Sequence, residues 1–133
     1  STKRHTTNSE FDVSKLETLP RVDIIYSHVD DDRVMADAAV AAGAKGIIHA
    51  GTGNGSIANP TMEGLKDAVA KGVVVVRSAR VPNGATTVSL PMWTKAGFLE
   101  SDTLNPQKAR LLLQLALTKT QDPKEIQRMF DQY

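Results

Sequence analysis

The chain contains no cysteine among its 133 residues, so disulfide bonds, thiolate catalysis and cysteine-ligated zinc are all excluded within it. Aromatic residues are also few, at 5% of the composition, and 16 basic residues nearly balance 15 acidic ones. A net charge of +1 leaves no basic surplus to neutralise a nucleic-acid backbone or an anionic membrane surface. The composition therefore predicts neither a nucleic-acid partner nor a membrane partner.

Long apolar runs are missing as well. The longest uncharged, mostly apolar stretches, residues 46–50 and 72–76, are far shorter than the ~20 residues that a membrane-spanning helix needs. The chain begins at Ser1, without a methionine or the apolar core of a signal peptide, and we therefore expect it to be a piece of a longer polypeptide. A length of 133 residues suits one domain that buries its own core.

The chain divides at Pro20 into two parts of different composition. Residues 1–20 are rich in serine, threonine and charge and carry few apolar residues, which is typical of an interdomain linker. Residues 21–133 are predicted to form one α/β domain. Within it, short apolar and β-branched runs predict strands at residues 22–26, 46–50 and 73–76, with a possible fourth strand at residues 98–99.

Helical patterns alternate with these strands. Their expected starts are residues 30–32, Pro60, Pro106 and Asp122, whereas residues 81–92 are assigned to no element. The helix from Pro106 has an apolar stripe wide enough to suggest burial on two sides. Strands that alternate with helices pair in parallel through right-handed crossovers. The predicted fold is therefore a small three-layer α/β sandwich, in which a short parallel sheet is flanked by helices.

The segment at residues 51–56, Gly-Thr-Gly-Asn-Gly-Ser, follows a predicted strand at the end where such sheets bind ligands. It could be a tight turn that needs positive φ angles, a phosphate-binding loop, or a contact loop. As a contact loop, it would present Asn54 and Ser56 to a ligand held mainly by another domain. The segment lacks the G-x-G-x-x-G spacing and the lysine of a Walker loop, which disfavours phosphate binding.

Serine and histidine residues near the predicted strand ends offer a second kind of site. Ser27 or Ser78 could act as a nucleophile with His28 or His49 as its base. No G-x-S-x-G elbow surrounds either serine, so polar residues at the rim of a core are the favoured interpretation.

Two further motifs contain residues of the types found in metal or catalytic sites. The acidic run at residues 30–32 could bind a hard cation, but helix capping explains it better because no glycine and bidentate glutamate follow at the spacing of a calcium loop. Thr86 and Thr87 could be nucleophiles only beside a fixed lysine or terminal amine, which nothing in the sequence places there. The residues taken by themselves therefore predict at most half of a site.

Several strings occur in order along almost the whole chain. They are residues 5–7, 11–16, 19–23, 46–56, 75–78, 104–110 and 122–133, and the most specific is Thr-Leu-Asn-Pro-Gln-Lys-Ala-Arg at residues 103–110. Together they resemble the carboxyl-terminal part of bacterial type II L-asparaginases and the related glutaminase-asparaginases. The resemblance implies a periplasmic amidohydrolase that converts asparagine, and often glutamine, to the acid and ammonia without a metal or cofactor.

The same resemblance implies which parts this segment has and which it lacks. In that family the catalytic threonines, lysine, aspartate and lid belong to a larger amino-terminal domain, so no catalytic residue is expected here. The carboxyl-terminal domain completes the site of a neighbouring subunit in a tetramer built from intimate dimers. Ser56 matches the family's Asn or Ser that reaches across the dimer toward the amino-acid substrate. The second expected contact, Asn54, comes from the contact-loop interpretation of residues 51–56 and not from the resemblance.

One departure from the family concerns substrate binding. The family usually directs a glutamate from the loop after the third strand at the substrate's α-amino group, whereas residues 86–97 hold no acidic residue. Glu100 and Asp102 lie just beyond this stretch. An alternative function also stays open, in which the chain is a separate α/β binding module that uses residues 51–56 for a small anion or nucleotide.

Overall fold

The computed structural model describes residues 3–52, 56–81 and 91–133. In this part of the chain, four parallel strands form one sheet in the order β1-β2-β3-β4: Val22–Tyr26, Gly46–Gly51, Val74–Ala79 and Leu99–Glu100. The α-helices of the same part are α1 (Val34–Ala41), α2 (Asn59–Ala70), α3 (Pro91–Lys95), α4 (Pro106–Leu117) and α5 (Pro123–Gln132).

The helices form a layer on each face of the sheet. One hydrophobic cluster joins β1–β3 to α1, α2 and α3, and a second joins the opposite face of the sheet to α4 and α5. β2 and β3 are buried along their whole length because both of their faces are covered. The predicted three-layer α/β sandwich is therefore confirmed. The longest described helices, α2 and α4, have 12 residues each, so no membrane-spanning helix occurs in the described part of the chain.

The element boundaries differ from the sequence prediction mainly where buried polar residues occur. β3 continues to Ala79 because Arg77 and Ser78 are buried in the sheet, although neither belongs to the apolar run that predicted the strand. The five-residue α3 falls at the end of the stretch that was assigned to no element and continues beyond it. α1 begins after the acidic run, where the Asp32 carboxylate accepts a hydrogen bond of 2.9 Å from the Val34 N–H. Asp32 therefore caps the helix as expected.

Residues 3–20 lie outside the sheet and are anchored to the α4–α5 layer at a few points. They contain a short 3₁₀ helix, Thr6–Asn8. The Glu10 carboxylate lies 2.9 Å from Arg128 and 3.4 Å from Lys119, and the Glu10 N–H donates to the Tyr133 hydroxyl at 3.0 Å. Their role as an interdomain linker stays a prediction.

The apolar stripe of α4 is covered on one side within this chain. Leu112 and Leu113 pack into the cluster beneath the sheet, whereas Leu111 is 54% exposed. Burial on two sides was expected, and residues 3–52, 56–81 and 91–133 supply only one of the two covering surfaces. The outward part of the stripe is available to another surface.

A row of side chains crosses the sheet on the α1–α2 face near its carboxyl end. His49 pairs in register with Arg77, and Arg77 with Glu100. The Arg77 guanidinium, although only 1% of the residue is exposed, lies 3.3 Å from the Glu100 carboxylate and 4.1 Å above the centre of the Trp93 ring. The buried positive charge is therefore stabilised by a carboxylate and by an aromatic face.

His49 stands next in this row and is fully buried. Within the described part of the chain, neither of its ring nitrogens has a hydrogen-bond partner. Burial lowers the pKa of His49 from 6.5 to about 4; the Asp31 carboxylate opposes this shift, and the Arg77 charge adds to it. The imidazole is therefore neutral at physiological pH.

This burial predicts a specific dependence of stability on pH. Because the pKa of His49 is lower in the folded state, the unfolded state binds the proton more tightly. The stability associated with the neutral ring is complete above pH 6.5 and is lost as the pH falls toward about 4, by about 3 kcal/mol in total. We expect His49→Gln in the complete protein to remove this part of the loss of stability at low pH.

The measurement is the melting temperature of the parent and the variant as the pH is lowered from neutrality. Titration of carboxylates affects both proteins equally, so the difference between the two curves isolates His49. If the two proteins lose stability in parallel over this pH range, the imidazole does not carry the effect.

Candidate functional site

The carboxyl ends of β1, β2 and β3 are cross-linked by hydrogen bonds beyond the strands themselves. The Ser27 N–H donates to the Ala50 carbonyl at 2.9 Å, and the Arg80 N–H donates to the Gly51 carbonyl at 2.7 Å. The Arg80 guanidinium also donates to the Ser27 carbonyl at 2.7 Å. We call the end of the sheet formed by Ser27, residues 51–52, Ser56 and Arg80 the carboxyl edge. These hydrogen bonds hold its three loops together.

Ser56 lies at this carboxyl edge, as the sequence predicted. It is exposed, and its N–H donates a hydrogen bond of 3.1 Å to the Thr52 carbonyl, so that Thr52 and Ser56 form an isolated antiparallel bridge. The next residue, Ile57, is only 8% exposed and anchors the chain in the core. The bridge to Thr52 and the burial of Ile57 therefore fix the backbone position of Ser56. Asn54, the second predicted contact, lies outside the described residues.

The structure contradicts the alternative in which a serine and a histidine form a nucleophile–base pair. Ser78 is on the α4 face of the sheet and donates its hydroxyl hydrogen to the Leu104 carbonyl, whereas His49 lies on the α1–α2 face. His28 is exposed, and its ring nitrogens lie 2.9 Å from the Asp31 carboxylate and 2.8 Å from the Val29 carbonyl. Neither histidine is placed to deprotonate Ser27 or Ser78.

The other two candidate motifs gain no support as sites. In the acidic run, Asp31 pairs with His28 and Asp32 caps α1, so two of the three carboxylates have local structural partners. Over residues 3–52, 56–81 and 91–133, no group of three or more histidine and acidic side chains could hold a metal ion. Thr86 and Thr87 fall outside the described residues.

The string at residues 103–110 connects α4 to the sheet. The hydroxyls of Ser78 and Ser101 both donate to the Leu104 carbonyl, at 3.1 and 3.0 Å. The Asn105 side chain caps α4 by accepting from the Lys108 N–H at 2.8 Å, and the Arg110 guanidinium donates to the Val22 carbonyl at 2.7 Å. In this chain, residues 103–110 therefore have a structural role, because they cap α4 and connect it to the sheet.

The two acidic residues that follow the 86–97 stretch both have cationic partners within the chain. Glu100 pairs with the buried Arg77, and Asp102 lies 2.6 Å from Lys3. Asp102 also has a positive φ of 56°, as expected for a turn residue. Both carboxylates already stabilise positive charges of the protein, which argues against a second role as the partner of a substrate amine.

Two residues of the carboxyl edge were missed by the sequence reasoning. Arg80 holds the loops after β1 and β2, and Thr52 is the bridge partner of Ser56. The available signal was that Thr52 and Arg80 come soon after the predicted strands 46–50 and 73–76, because the carboxyl ends of parallel strands meet at one end of the sheet.

Comparison with known proteins identifies the family of the chain. Residues 21–130 match the Glutaminase/Asparaginase C-terminal domain. L-asparaginase 2 of Bacillus subtilis is 52% identical over 99% of this chain, and the alignment covers 35% of the relative. "Probable L-asparaginase periplasmic" of Haemophilus influenzae is 48% identical over 98% of this chain and 38% of the relative.

A solved structure agrees with the sequence relatives. The crystal structure of "Probable Cytoplasmic L-asparaginase" from Campylobacter jejuni superposes with a TM-score of 0.93 and 52% identity, covering 98% of this chain and 43% of that one. The chain thus spans less than half the length of the proteins it matches. A family match over most of the chain, together with the same fold in a close relative, shows that the chain belongs to the carboxyl-terminal domain family of the glutaminases and asparaginases.

Proposed function

We propose that the complete protein carrying this chain hydrolyses L-asparagine to the acid and ammonia, with L-glutamine as the alternative amide substrate to be tested beside it. The observation that carries the proposal is the family match over residues 21–130, joined to an exposed Ser56 at the carboxyl edge of the sheet. The serine–histidine pairings suggested by the sequence do not form, which supports a role in binding for this segment and a catalytic role for an amino-terminal domain.

In this proposal the chain completes the active site of a neighbouring subunit and helps to build a tetramer of intimate dimers. Two features support the role. The hydrogen bonds of Arg80 and Ser27 hold the carboxyl edge as one unit that can present Ser56 outward. Large apolar side chains near this edge are also exposed, Val29 by 88% and Met35 by 55%, as expected of a surface that another subunit or domain covers.

We propose a periplasmic location for the complete protein, as the resemblance to type II enzymes implies. The name of the Haemophilus relative supports this location, whereas the Campylobacter protein is named as cytoplasmic. Fractionation of cells that express the complete protein from its own gene distinguishes the two compartments.

The first test separates the complete protein from the segment. The complete protein is expected to release ammonia from asparagine in a coupled assay, which also measures its turnover of glutamine, and purified residues 1–133 are expected to release none from either amide above buffer. The physical reason is that the segment supplies contacts to substrate without a nucleophile for the amide carbon. Turnover by the segment, free of any other chain, would refute the proposal that catalysis belongs to another domain.

A second test concerns Ser56. A single neutral hydrogen bond contributes about 0.5 to 1.5 kcal/mol, so Ser56→Ala in the complete protein should raise KM, or shift the ratio of asparagine to glutamine turnover, by about tenfold or less. Steady-state kinetics on both amides measure the effect. Ser14→Ala, at an exposed serine outside the sheet, serves as the matched control. A fall in kcat by several orders of magnitude would instead mean that Ser56 takes part in the chemistry.

A third test concerns the two acidic residues. We expect Glu100→Gln and Asp102→Asn each to leave kcat/KM for asparagine within a few-fold of the parent, because both carboxylates have partners inside the chain. Glu100→Gln should also lower the free energy of unfolding by about 1 to 3 kcal/mol, since it weakens a hydrogen bond to a buried cation. A hundredfold drop in kcat/KM, about 2.7 kcal/mol, would show that the replaced carboxylate binds substrate.

A further inference from the structure

Thr52 stands directly opposite Ser56 at the carboxyl edge. The two residues form an antiparallel bridge, in which the Thr52 carbonyl accepts from the Ser56 N–H at 3.1 Å, and both residues are exposed. Directly opposed residues of an antiparallel pair carry their side chains on the same face, with Cβ atoms about 4.5 to 5.5 Å apart. The bridge therefore brings two hydroxyl-bearing side chains together.

The position of Thr52 is set by the sheet rather than by its own loop. It follows the last residue of β2, Gly51, whose carbonyl accepts the 2.7 Å hydrogen bond from the Arg80 N–H. The Arg80 guanidinium in turn holds the Ser27 carbonyl of the loop after β1. In addition, the β-branched side chain of a threonine has restricted χ1 freedom. The Thr52 hydroxyl is consequently better fixed than a hydroxyl at the tip of a loop.

We propose that Thr52 is a second substrate-binding residue, whose hydroxyl binds a polar group of the same amino-acid substrate as Ser56; this rests on the proposed function. A hydroxyl donates one hydrogen bond and also accepts, so a neighbouring pair can bind the amine, the carboxylate or the amide of an amino acid. Ser56 and Thr52 then act as one unit in substrate binding and leave the chemical step to residues of another domain.

The test is Thr52→Val in the complete protein. Valine keeps the β-branched shape that suits the bridge and removes only the hydroxyl. The expected result is a rise in KM for asparagine of about two- to tenfold, the equivalent of one neutral hydrogen bond, with kcat and the melting temperature unchanged. Thr52→Ser restores the parent KM. Thr18→Val is the matched control, since Thr18 is exposed and lies near Arg21 and Lys45, at the amino end of the sheet.

A double variant tests whether the two hydroxyls act together. If they share one substrate group, the KM increase of the combined Thr52→Val and Ser56→Ala variant falls below the product of the two single increases. Strict multiplication, or a parent-like KM for Thr52→Val when Ser56→Ala raises it, overturns the inference.

Binding of L-aspartate, measured by calorimetry on the same proteins, separates this inference from the proposed function. If the parent is active and Thr52→Val changes neither KM nor the affinity for aspartate, only the role of Thr52 is contradicted. A parent that neither hydrolyses the amides nor binds aspartate contradicts both.

Discussion

The burial of β2 and β3 on both faces is the constraint on which the remainder of the structure depends. A strand covered by helices on each side has no water-accessible side-chain surface, so any polar residue within it must be neutral or paired. His49 meets this requirement by losing its proton, and Arg77 meets it through Glu100 and the ring of Trp93. The same coverage leaves the strand ends as the places where backbone and side chains can meet a ligand.

The carboxyl edge is therefore both the open part of the sheet and a rigid one. Arg80 spans the loops after β1 and β2 with one backbone and one side-chain hydrogen bond, and Ser27 adds a third contact to β2. A site that is completed by another polypeptide benefits from such rigidity, because contacts that are already in position cost less ordering when the partner arrives. In the proposed function, such contacts would let this segment influence substrate selection from outside the catalytic domain.

The acidic residues of the chain illustrate how structural demands limit functional ones. Glu100 and Asp102 are nearest in sequence to the stretch that lacks an acid, yet their carboxylates are engaged by Arg77 and Lys3. A carboxylate that moves to a substrate amine has to leave its own cation, and for Glu100 that cation is buried. Substrate binding by the Glu100 or Asp102 carboxylate would therefore compete with its ion pair inside the chain.

The sequence by itself determined the parallel α/β architecture, because strands and helices are set by local patterns such as the buried run of β2 and the proline that opens α4. It also placed Ser56 at a strand end, and its ordered strings identified the family. Only the tertiary structure decided which side chains meet: it put Ser78 and His49 on opposite faces, paired Arg77 with Glu100, and set Thr52 against Ser56. These outcomes depend on strand register and on which face each residue takes. A shift of one residue reverses every face, and because β2 and β3 are buried on both faces, their sequences show no alternation that would indicate the register.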